Sequence, residues 1–223
     1  VDEGVASGKV IPPLLKGGFY HSGQVCVSVQ RVFVPRAELP DFAAELAEGA
    51  EALTVGDPTK AETQCGPLIR PAEVDRVASW VDAAVQGGAR LAAGGKRMGS
   101  TLYQPTVLVD PPCDADVSQK EVFGPVVCIY GYDDVEAAIG QANALPYAFQ
   151  AAVFTDRMSW ADYCVETLAA SAVMVNDHTA FRVDWMPFAG RRQSGLGTGG
   201  IGYTMADMSE EKMVVVNAPS SVR

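Results

Sequence analysis

The stretch "GGFYHSGQVCVSVQRVFV", residues 17–34, largely decides the fold, because a polar, glycine-marked turn runs directly into an apolar strand. The segment "SVQRVFV" is rich in β-branched and aromatic residues and predicts that strand. Gly17, Gly18 and Gly23 predict a backbone that turns tightly and approaches a ligand closely. Cys26 lies at the junction, so it is either packed at the start of the strand or presented there to react.

Helical patterns follow this stretch. "ELPDFAAELAEGAEAL" carries apolar residues at helical spacing. "PAEVDRVASWVDAAVQGG" starts with a proline and ends at two glycines, and its apolar stripe is Val74, Val77, Val81 and Val85. Asp133 and Glu136 predict a capping box for a helix that ends near Asn143. The region around Trp160 predicts a further helix.

Apolar strands alternate with these helices. They are "YQPTVLVD", "VVCIYGY", "QAAVFT" and "SAVMVN", with a turn at "GGKRMGS" between short strands. Strands that alternate with helices and are continuously apolar favour an α/β fold, with a mainly parallel sheet covered by helices on both faces.

The end of the chain has a different pattern. "PFAGRRQSGLGTGGIGYT", residues 187–204, is rich in glycine and predicts a long ordered loop, which is more often functional than decorative. "EEKMVVVNA", residues 210–218, predicts a short strand without a later hairpin partner, which favours pairing with another subunit. We therefore divide the chain into a main domain, 1–209, and an oligomerisation strand with its tail, 210–223.

Composition restricts the classes of function. The 223 residues are 48% hydrophobic and 20% charged, which is typical of a globular enzyme or binding domain. The formal net charge of −10 argues against nucleic-acid binding, which needs a positive surface. No segment approaches the roughly 20 apolar residues of a membrane helix, and "VDEGVASGKV" does not have the pattern of a secretory signal. We expect neither a nucleic-acid partner nor a membrane partner.

The cysteines do not form a metal-binding pattern. Cys26, Cys65, Cys113, Cys128 and Cys164 include no C-x-x-C pair, and the chain has only two histidines. Zinc-ligand spacing is therefore missing, and we predict no metal site. An odd, scattered set of cysteines favours free thiols in a reducing compartment, so the expected location is the cytoplasm.

The residues alone leave the role of Cys26 open. A thiol with a pKa near 8.5 is only a few per cent thiolate at pH 7, so a reactive Cys26 needs backbone donors, a helix N-terminus or a base. His21 suggests a Cys-His pair, but no third orienting group is in view, so a partly buried surface histidine is favoured over the pair. A buried strand cysteine between Val25 and Val27 is the main alternative.

Three motifs, read together, supply a resemblance. "GGFYHSGQVCVSVQR" contains F-x-x-x-G-Q-x-C, "EVFGPVV" contains E-x-F-G-P, and "PFAGRRQSGLG" contains P-F-x-G-x-x-x-S-G-x-G. In this order and at these separations they resemble the aldehyde dehydrogenase superfamily over essentially the whole chain. The resemblance implies that family's catalytic-domain fold, while the expected homo-oligomer rests on the predicted strand of residues 210–218.

The resemblance also implies a mechanism. Cys26 matches the nucleophile, whose thiolate attacks a small aldehyde to give a thiohemiacetal and, after oxidation by NAD or NADP, a thioester. Glu121 matches the carboxylate that holds the nicotinamide ribose, and Phe123 matches the residue beside the nicotinamide ring, on a cofactor-facing strand. Without the motif, Glu121 reads as a solvated loop carboxylate and Phe123 as a core residue.

Further positions match the family's substrate pocket. Tyr20 and Phe188 match aromatic residues that wall the aldehyde tunnel, with core packing as the alternative. His178 and Thr179 fall where the family varies its substrate contacts. Arg182 is a candidate partner for an anionic substrate, with a surface ion pair as the alternative.

Much of the family's pattern is missing. No E-L-G-G segment, which carries the glutamate that activates water, and no G-x-G-x-x-G after a strand occur in this sequence. Thr198, Gly199 and Gly200 stand where many members carry an acidic residue. We therefore expect a catalytic domain that is inactive alone. The stretch "GGFYHSGQVCVSVQR" resembles members that act on small oxygenated aldehydes, such as lactaldehyde-like or glyceraldehyde phosphate-like substrates. A CoA-acylating enzyme, a non-catalytic assembly module and a cysteine hydrolase remain alternatives.

Overall fold

The structure is a computed structural model and describes residues 1–217. Its helices and strands alternate along the chain, as the sequence predicts. In chain order they are α1 (Ser7–Phe19), a 3-10 turn (Tyr20–Gly23), β1 (Arg31–Pro35), α2 (Leu39–Glu51), α3 (Pro71–Gln86), β2 (Arg90–Ala93), β3 (Thr106–Val109), α4 (Asp116–Gln119), β4 (Val126–Tyr132), α5 (Val135–Asn143), β5 (Tyr147–Ala148), β6 (Gln150–Val153), α6 (Met158–Thr167), β7 (Ala172–Val175), β8 (Arg191–Arg192) and α7 (Ile201–Asp207).

The larger sheet is mainly parallel. Its strand order is β1-β4-β3-β2, in which β1 and β3 both run parallel to β4 and only β2 is antiparallel. A second parallel pair, β6 with β7, and a short antiparallel pair, β5 with β8, complete the pairing in the described residues. The predicted α/β class with a mainly parallel sheet is confirmed.

Strand β4 shows why the sheet is covered on both faces. Val127 and Ile129 belong to a core formed with α1 and α2, whereas Val126, Cys128 and Tyr130 belong to a second core formed with α3. Successive side chains of a strand point to opposite faces, so a strand buried on both faces is continuously apolar. Helices therefore cover both faces, as predicted.

Helix α1 is an element to which the sequence analysis assigned no structure. It contains Pro12 and Pro13, and its last turn holds Gly17 and Gly18. The expectation that these two glycines turn the chain tightly is wrong, because both are helical and buried. A Cβ on Gly18 would lie 2.6 Å from Val127, so close helix–sheet packing explains the glycine there.

Several boundaries also differ from the predictions. Asp134, and not Asp133, caps α5, because its carboxylate accepts the N–H of Glu136 at 3.1 Å. Val85 is exposed, and Ala84 takes its place on the buried face of α3. The "EVFGP" segment, 121–125, is a loop that leads into β4 and not a strand.

The carboxy-terminal predictions are only partly met. The loop predicted over residues 187–204 contains β8 and the start of α7. Residues 209–217 form no strand and are exposed, including the apolar run Met213–Val216. Residues 218–223 of the predicted tail lie outside the described residues, and pairing of this segment with another subunit stays a prediction.

Membrane spanning finds no support in the described part of the chain. No helix within residues 1–217 is both long and apolar enough to cross a membrane.

Candidate active site

Cys26 lies on a turn that exposes its side chain. The N–H of Ser28 donates to the carbonyl of Val25 at 3.0 Å, which closes the turn around Cys26, and β1 begins only at Arg31. Cys26 is exposed whereas Val27 is buried. The alternative of a cysteine buried in a strand is therefore wrong.

The other thiols differ from Cys26 in accessibility. Cys65, Cys128 and Cys164 are buried, and burial raises the pKa of all three thiols, that of Cys128 to about 12. Cys113 is exposed. In the described chain, Cys26 and Cys113 are thus the two thiols that a reagent in solution can reach without local unfolding.

The polar residues before Cys26 fasten its turn to the loop before α3. The hydroxyl of Ser22 donates to the carbonyl of Gly66 at 2.7 Å. The Gln24 amide donates to the carbonyl of Pro67 at 3.2 Å and accepts the N–H of Ile69 at 2.9 Å. These side chains satisfy backbone groups of a neighbouring loop, which holds the turn in place.

Gly23 brings this turn against the loop that carries Glu121. Its φ is +68°, and a Cβ at Gly23 would overlap the Gly124 carbonyl oxygen and lie 2.6 Å from the carbonyl carbon. Only a residue without a Cβ allows this approach. Of the three glycines that the sequence singled out, Gly23 is the one at a tight turn; its close approach is to the backbone of Gly124, and an approach to a ligand stays a prediction.

Cys26 shares a small pocket with both predicted cofactor contacts. Glu121 and Phe123 lie across this pocket of about 40 Å³ from the cysteine, although they are distant in sequence. The side chain of Phe123 is 42% exposed, so it is not a core residue. The lining residues are Gly23, Val25, Cys26, Ser28, Gln30, Glu121, Phe123, Gly124 and Val126.

Two side chains outside the motifs hold the Glu121–Phe123 loop. Gln30 accepts the Val122 N–H at 2.9 Å, and its amide donates to the carbonyl of Lys120 at 2.7 Å. The guanidinium of Arg76 donates to the carbonyl of Val122 at 2.7 Å. Both the N–H and the carbonyl of Val122, the residue between Glu121 and Phe123, are therefore hydrogen-bonded. These bonds fix the directions of the Glu121 and Phe123 side chains.

Sequence reasoning missed Gln30 and Arg76. A polar residue inside the apolar pattern "VCVSVQRVFV" was a signal for Gln30, because a buried polar group requires a partner. Arg76 gave no signal of this kind, since arginine is ordinary on the exposed side of a helix.

Electrostatic effects connect the pocket residues. Glu121 is exposed on its loop, but partial desolvation of its carboxyl group raises its pKa above the ordinary value, and the positive charge of Arg76 opposes that rise. Burial likewise raises the pKa of the Tyr20 hydroxyl, and the charge of Cys26 adds to this rise. Tyr20 therefore lies within electrostatic range of Cys26, and its predicted role in the wall of the aldehyde tunnel stays a prediction.

Strained backbone occurs at or beside several of the candidate site residues. Left-handed conformations outside glycine occur at His21 (φ +48°), Ser22 (φ +57°), Phe123 (φ +47°) and Asn176 (φ +59°). Each such residue costs roughly 1–3 kcal/mol and persists where surrounding contacts fix it, often at functional sites. Two other residues of the described chain share this conformation, Asp110 and Arg192.

His178 and Thr179 lie behind the turn. The hydroxyl of Thr179 donates to the carbonyl of Val27 at 2.7 Å, one residue after Cys26. His178 is buried against Gly17, its Nδ1 accepts an N–H at 3.1 Å, and burial lowers its pKa. These contacts support the turn, and the role of both residues toward a substrate stays a prediction.

The remaining candidates do not lie in the Cys26 pocket. Phe188 packs edge-on against Phe149 with ring centroids 4.9 Å apart, and the guanidinium of Arg182 lies 4.4 Å from the centre of the Phe188 ring. His21 is exposed, and its ring lies 4.9 Å from that of Tyr20. Among the hydrogen bonds of residues 1–217, none joins His21 to Cys26.

Metal ligands are not clustered in the described residues. No group of three or more His, Cys, Asp or Glu side chains within residues 1–217 is arranged to hold a metal ion.

The sequence matches a known family. The model of the aldehyde dehydrogenase family matches residues 1–214. A 3-sulfolactaldehyde dehydrogenase of Priestia aryabhattai is 40% identical over 199 residues, covering 89% of this chain and 42% of that protein. A lactaldehyde dehydrogenase of Methanococcus aeolicus is 35% identical, covering 94% of this chain and 44% of that protein.

Solved structures show the same fold. The NADP-dependent glyceraldehyde-3-phosphate dehydrogenase of Bacillus halodurans, complexed with NADP, superimposes with a TM-score of 0.92 at 32% identity, covering 97% of this chain and 45% of that chain. Aldehyde dehydrogenase 21 of Physcomitrella patens, in complex with succinate, gives a TM-score of 0.89 at 33% identity, with 95% and 44% covered. The chain thus spans less than half the length of the relatives it matches.

Proposed function

Because the chain belongs to the aldehyde dehydrogenase family, we propose that it carries the thiol chemistry of an NAD(P)-dependent oxidation of a small oxygenated aldehyde. In this proposal Cys26 is the nucleophile, and Glu121 and Phe123 contact the cofactor. The observation that supports it best is that these three residues share one pocket although they come from distant segments. The names of the relatives, which include two lactaldehyde-type dehydrogenases, favour the substrate class.

The first step is addition of the thiol to the aldehyde. The Cys26 sulfur loses its proton and forms a bond to the carbonyl carbon, the carbonyl π electron pair moves to oxygen, and that oxygen takes up the proton, which gives the thiohemiacetal. The backbone N–H of Cys26 donates no hydrogen bond among the described residues, so it is free to stabilise the developing oxyanion. One such donor is commonly worth about 3 kcal/mol.

The residues of the pocket fit one end of a nicotinamide cofactor. The Glu121 carboxylate can accept hydrogen bonds from two vicinal ribose hydroxyls, and the exposed ring of Phe123 offers a flat apolar surface beside Cys26. When bound, the cofactor supplies the hydride acceptor that converts a thiohemiacetal to a thioester.

Release of the acid needs groups that this sequence does not carry. Water attacks the Cys26 thioester efficiently only with a general base, which typically contributes 10²–10⁴-fold. The 223-residue chain is therefore expected to be inactive alone in the steady state. A CoA-dependent release of the acyl group is the alternative within the same family.

Protection of Cys26 by an aldehyde tests the proposal without a cofactor. The chain is treated with iodoacetamide, and the alkylation of each cysteine is followed by mass spectrometry. We expect Cys26 to react faster than Cys113, and we expect lactaldehyde, but not 1,2-propanediol, to slow the reaction at Cys26 only. Equal rates at the two exposed thiols, or equal slowing by the aldehyde at both, would contradict the nucleophile assignment.

A second proposal concerns assembly. The carboxy-terminal segment exposes Met213, Val214, Val215 and Val216, each more than 70% accessible. A contiguous exposed apolar run favours a protein contact, and we assign it to a homo-oligomer in the cytoplasm, with residues 1–209 as the catalytic part. If Cys26 proved unreactive, this exposed segment would favour the alternative in which the chain is a non-catalytic assembly module.

A further inference from the structure

Arg182 is a charged side chain that the proposed chemistry leaves unused. It is exposed, and none of the ion pairs within residues 1–217 includes it. The alternative of a surface ion pair therefore finds no support in this part of the chain. The guanidinium likewise donates no hydrogen bond to the described residues, so its N–H donors are available to a ligand.

An aromatic ring holds this side chain in place. The guanidinium carbon lies 4.4 Å from the centre of the Phe188 ring, and a contact of this kind does not use the N–H donors. Phe188 is itself fixed, because its N–H donates to the carbonyl of Gly199 at 2.9 Å and its carbonyl accepts the N–H of Gly199 at 2.8 Å. The cation is therefore positioned without being neutralised.

The segment before Arg182 is fastened beside the turn of Cys26. The Asn176 side chain accepts the N–H of Thr155 at 2.8 Å and donates to its carbonyl at 2.9 Å. Three residues later, the hydroxyl of Thr179 donates to the carbonyl of Val27 at 2.7 Å. These bonds connect the segment both to the end of β6 and to the residue that follows Cys26.

The position of Arg182 fits the far end of a short substrate. Arg182 follows Thr179 by three residues, and three residues span at most about 11 Å. Arg182 is not among the residues that line the pocket of Cys26, so it does not contact the carbonyl group that reacts there. A group at the other end of the same aldehyde is the part that such a side chain can bind.

We propose that Arg182 selects aldehydes that carry an oxyanion, such as a phosphate or a sulfonate, at the end opposite to the carbonyl. This inference rests on the proposed function, because Cys26 binds the other end of the molecule. A guanidinium donates two parallel hydrogen bonds to an oxyanion, and these are stronger than bonds to a neutral hydroxyl. The chain has a formal net charge of −10, so an anionic ligand needs a local cation of this kind.

Protection of Cys26 tests the inference with three aldehydes that differ in the group on their third carbon. Glyceraldehyde carries a hydroxyl there, glyceraldehyde 3-phosphate a phosphate ester, and 3-sulfolactaldehyde a sulfonate. The quantity measured for each aldehyde is the concentration that halves the rate at which iodoacetamide alkylates Cys26. We expect Arg182→Gln to raise this concentration about tenfold or more for the two anionic aldehydes, relative to glyceraldehyde.

Two further variants show whether the effect belongs to Arg182. Arg182→Lys keeps the charge but loses the two-pronged donor, so part of the preference for the anionic aldehydes should remain. Arg191→Gln removes another exposed arginine that forms no ion pair within residues 1–217, and it should not alter the preference. An unchanged preference in Arg182→Gln, or an equal change in Arg191→Gln, would overturn the inference.

A direct binding measurement separates this inference from the assignment of Cys26. Glycerol 3-phosphate has no aldehyde group, so its binding does not depend on a reaction with the thiol. We expect glycerol 3-phosphate, but not glycerol, to shift the Nε–Hε resonance of Arg182 saturably in NMR spectra and to leave that of Arg191 in place. If no aldehyde slows the alkylation of Cys26, the nucleophile assignment fails and this resonance alone decides the role of Arg182. The absence of a shift at Arg182 overturns the inference in either case.

Discussion

Replacing Gly23 by alanine should separate the turn that carries Cys26 from the loop that carries Glu121. Gly23 has a φ of +68°, and the left-handed region costs a residue with a Cβ roughly 1–2 kcal/mol. The new Cβ would also lie 2.6 Å from the carbonyl carbon of Gly124, short of the 3.4 Å at which ordinary contact begins. The backbone must move by about the difference between these two distances to relieve the clash, which adds about 1–3 kcal/mol. We therefore expect Gly23→Ala to lower the free energy of unfolding by about 3 kcal/mol.

Two other glycines provide matched controls for the two contributions. Gly4 has a similar φ of +76° but no atom within 4 Å of a built Cβ, so Gly4→Ala should cost about 1 kcal/mol from conformation alone. Gly99 has neither constraint, and Gly99→Ala should be nearly neutral. Urea unfolding followed by circular dichroism measures the three free energies of unfolding, and an unchanged m-value supports their comparison. If Gly23→Ala lost no more stability than Gly4→Ala, the close approach to the Glu121 loop would not be a real constraint.

Three further predictions concern other parts of the molecule. Gln30→Ala should lower the free energy of unfolding by about 2 kcal/mol in urea titrations, because the Val122 N–H loses its partner; a loss within error would contradict a role in holding this loop. Burial lowers the pKa of His178 in the folded chain, so the unfolded chain binds the imidazole proton more readily. The free energy of unfolding should therefore fall as pH decreases below about 6.5, and His178→Gln should reduce the slope of stability against pH in thermal scans. Val215→Asp should shift the protein toward monomer in light scattering, whereas an unchanged mass would exclude this run as the oligomer contact.

The local patterns of the sequence determined the larger elements of this protein. Helix α3, whose stripe departs from the prediction only at Val85, and the continuous apolar run of β4 appear where they were predicted, because helical and strand periods depend on near neighbours in the chain. The fold class followed from apolar strands that alternate with helices and the family from three ordered motifs, and the match over residues 1–214 confirms that family. The motifs also named Cys26, Glu121 and Phe123 before any geometry was known.

Only the tertiary structure decided how these residues meet. Whether Cys26 is buried or exposed depends on a turn fastened by Ser22 and Gln24 to a loop some 40 residues away. The direction of the Glu121 loop depends on Gln30 and on an arginine of α3, which no local pattern relates to it. The sequence shows which hydrogen bonds a polar side chain can form and which backbone conformations a glycine can adopt. Which residue it contacts depends on the packing of segments that are distant in sequence. Helices and strands were therefore readable one segment at a time, whereas the pocket around Cys26 was not.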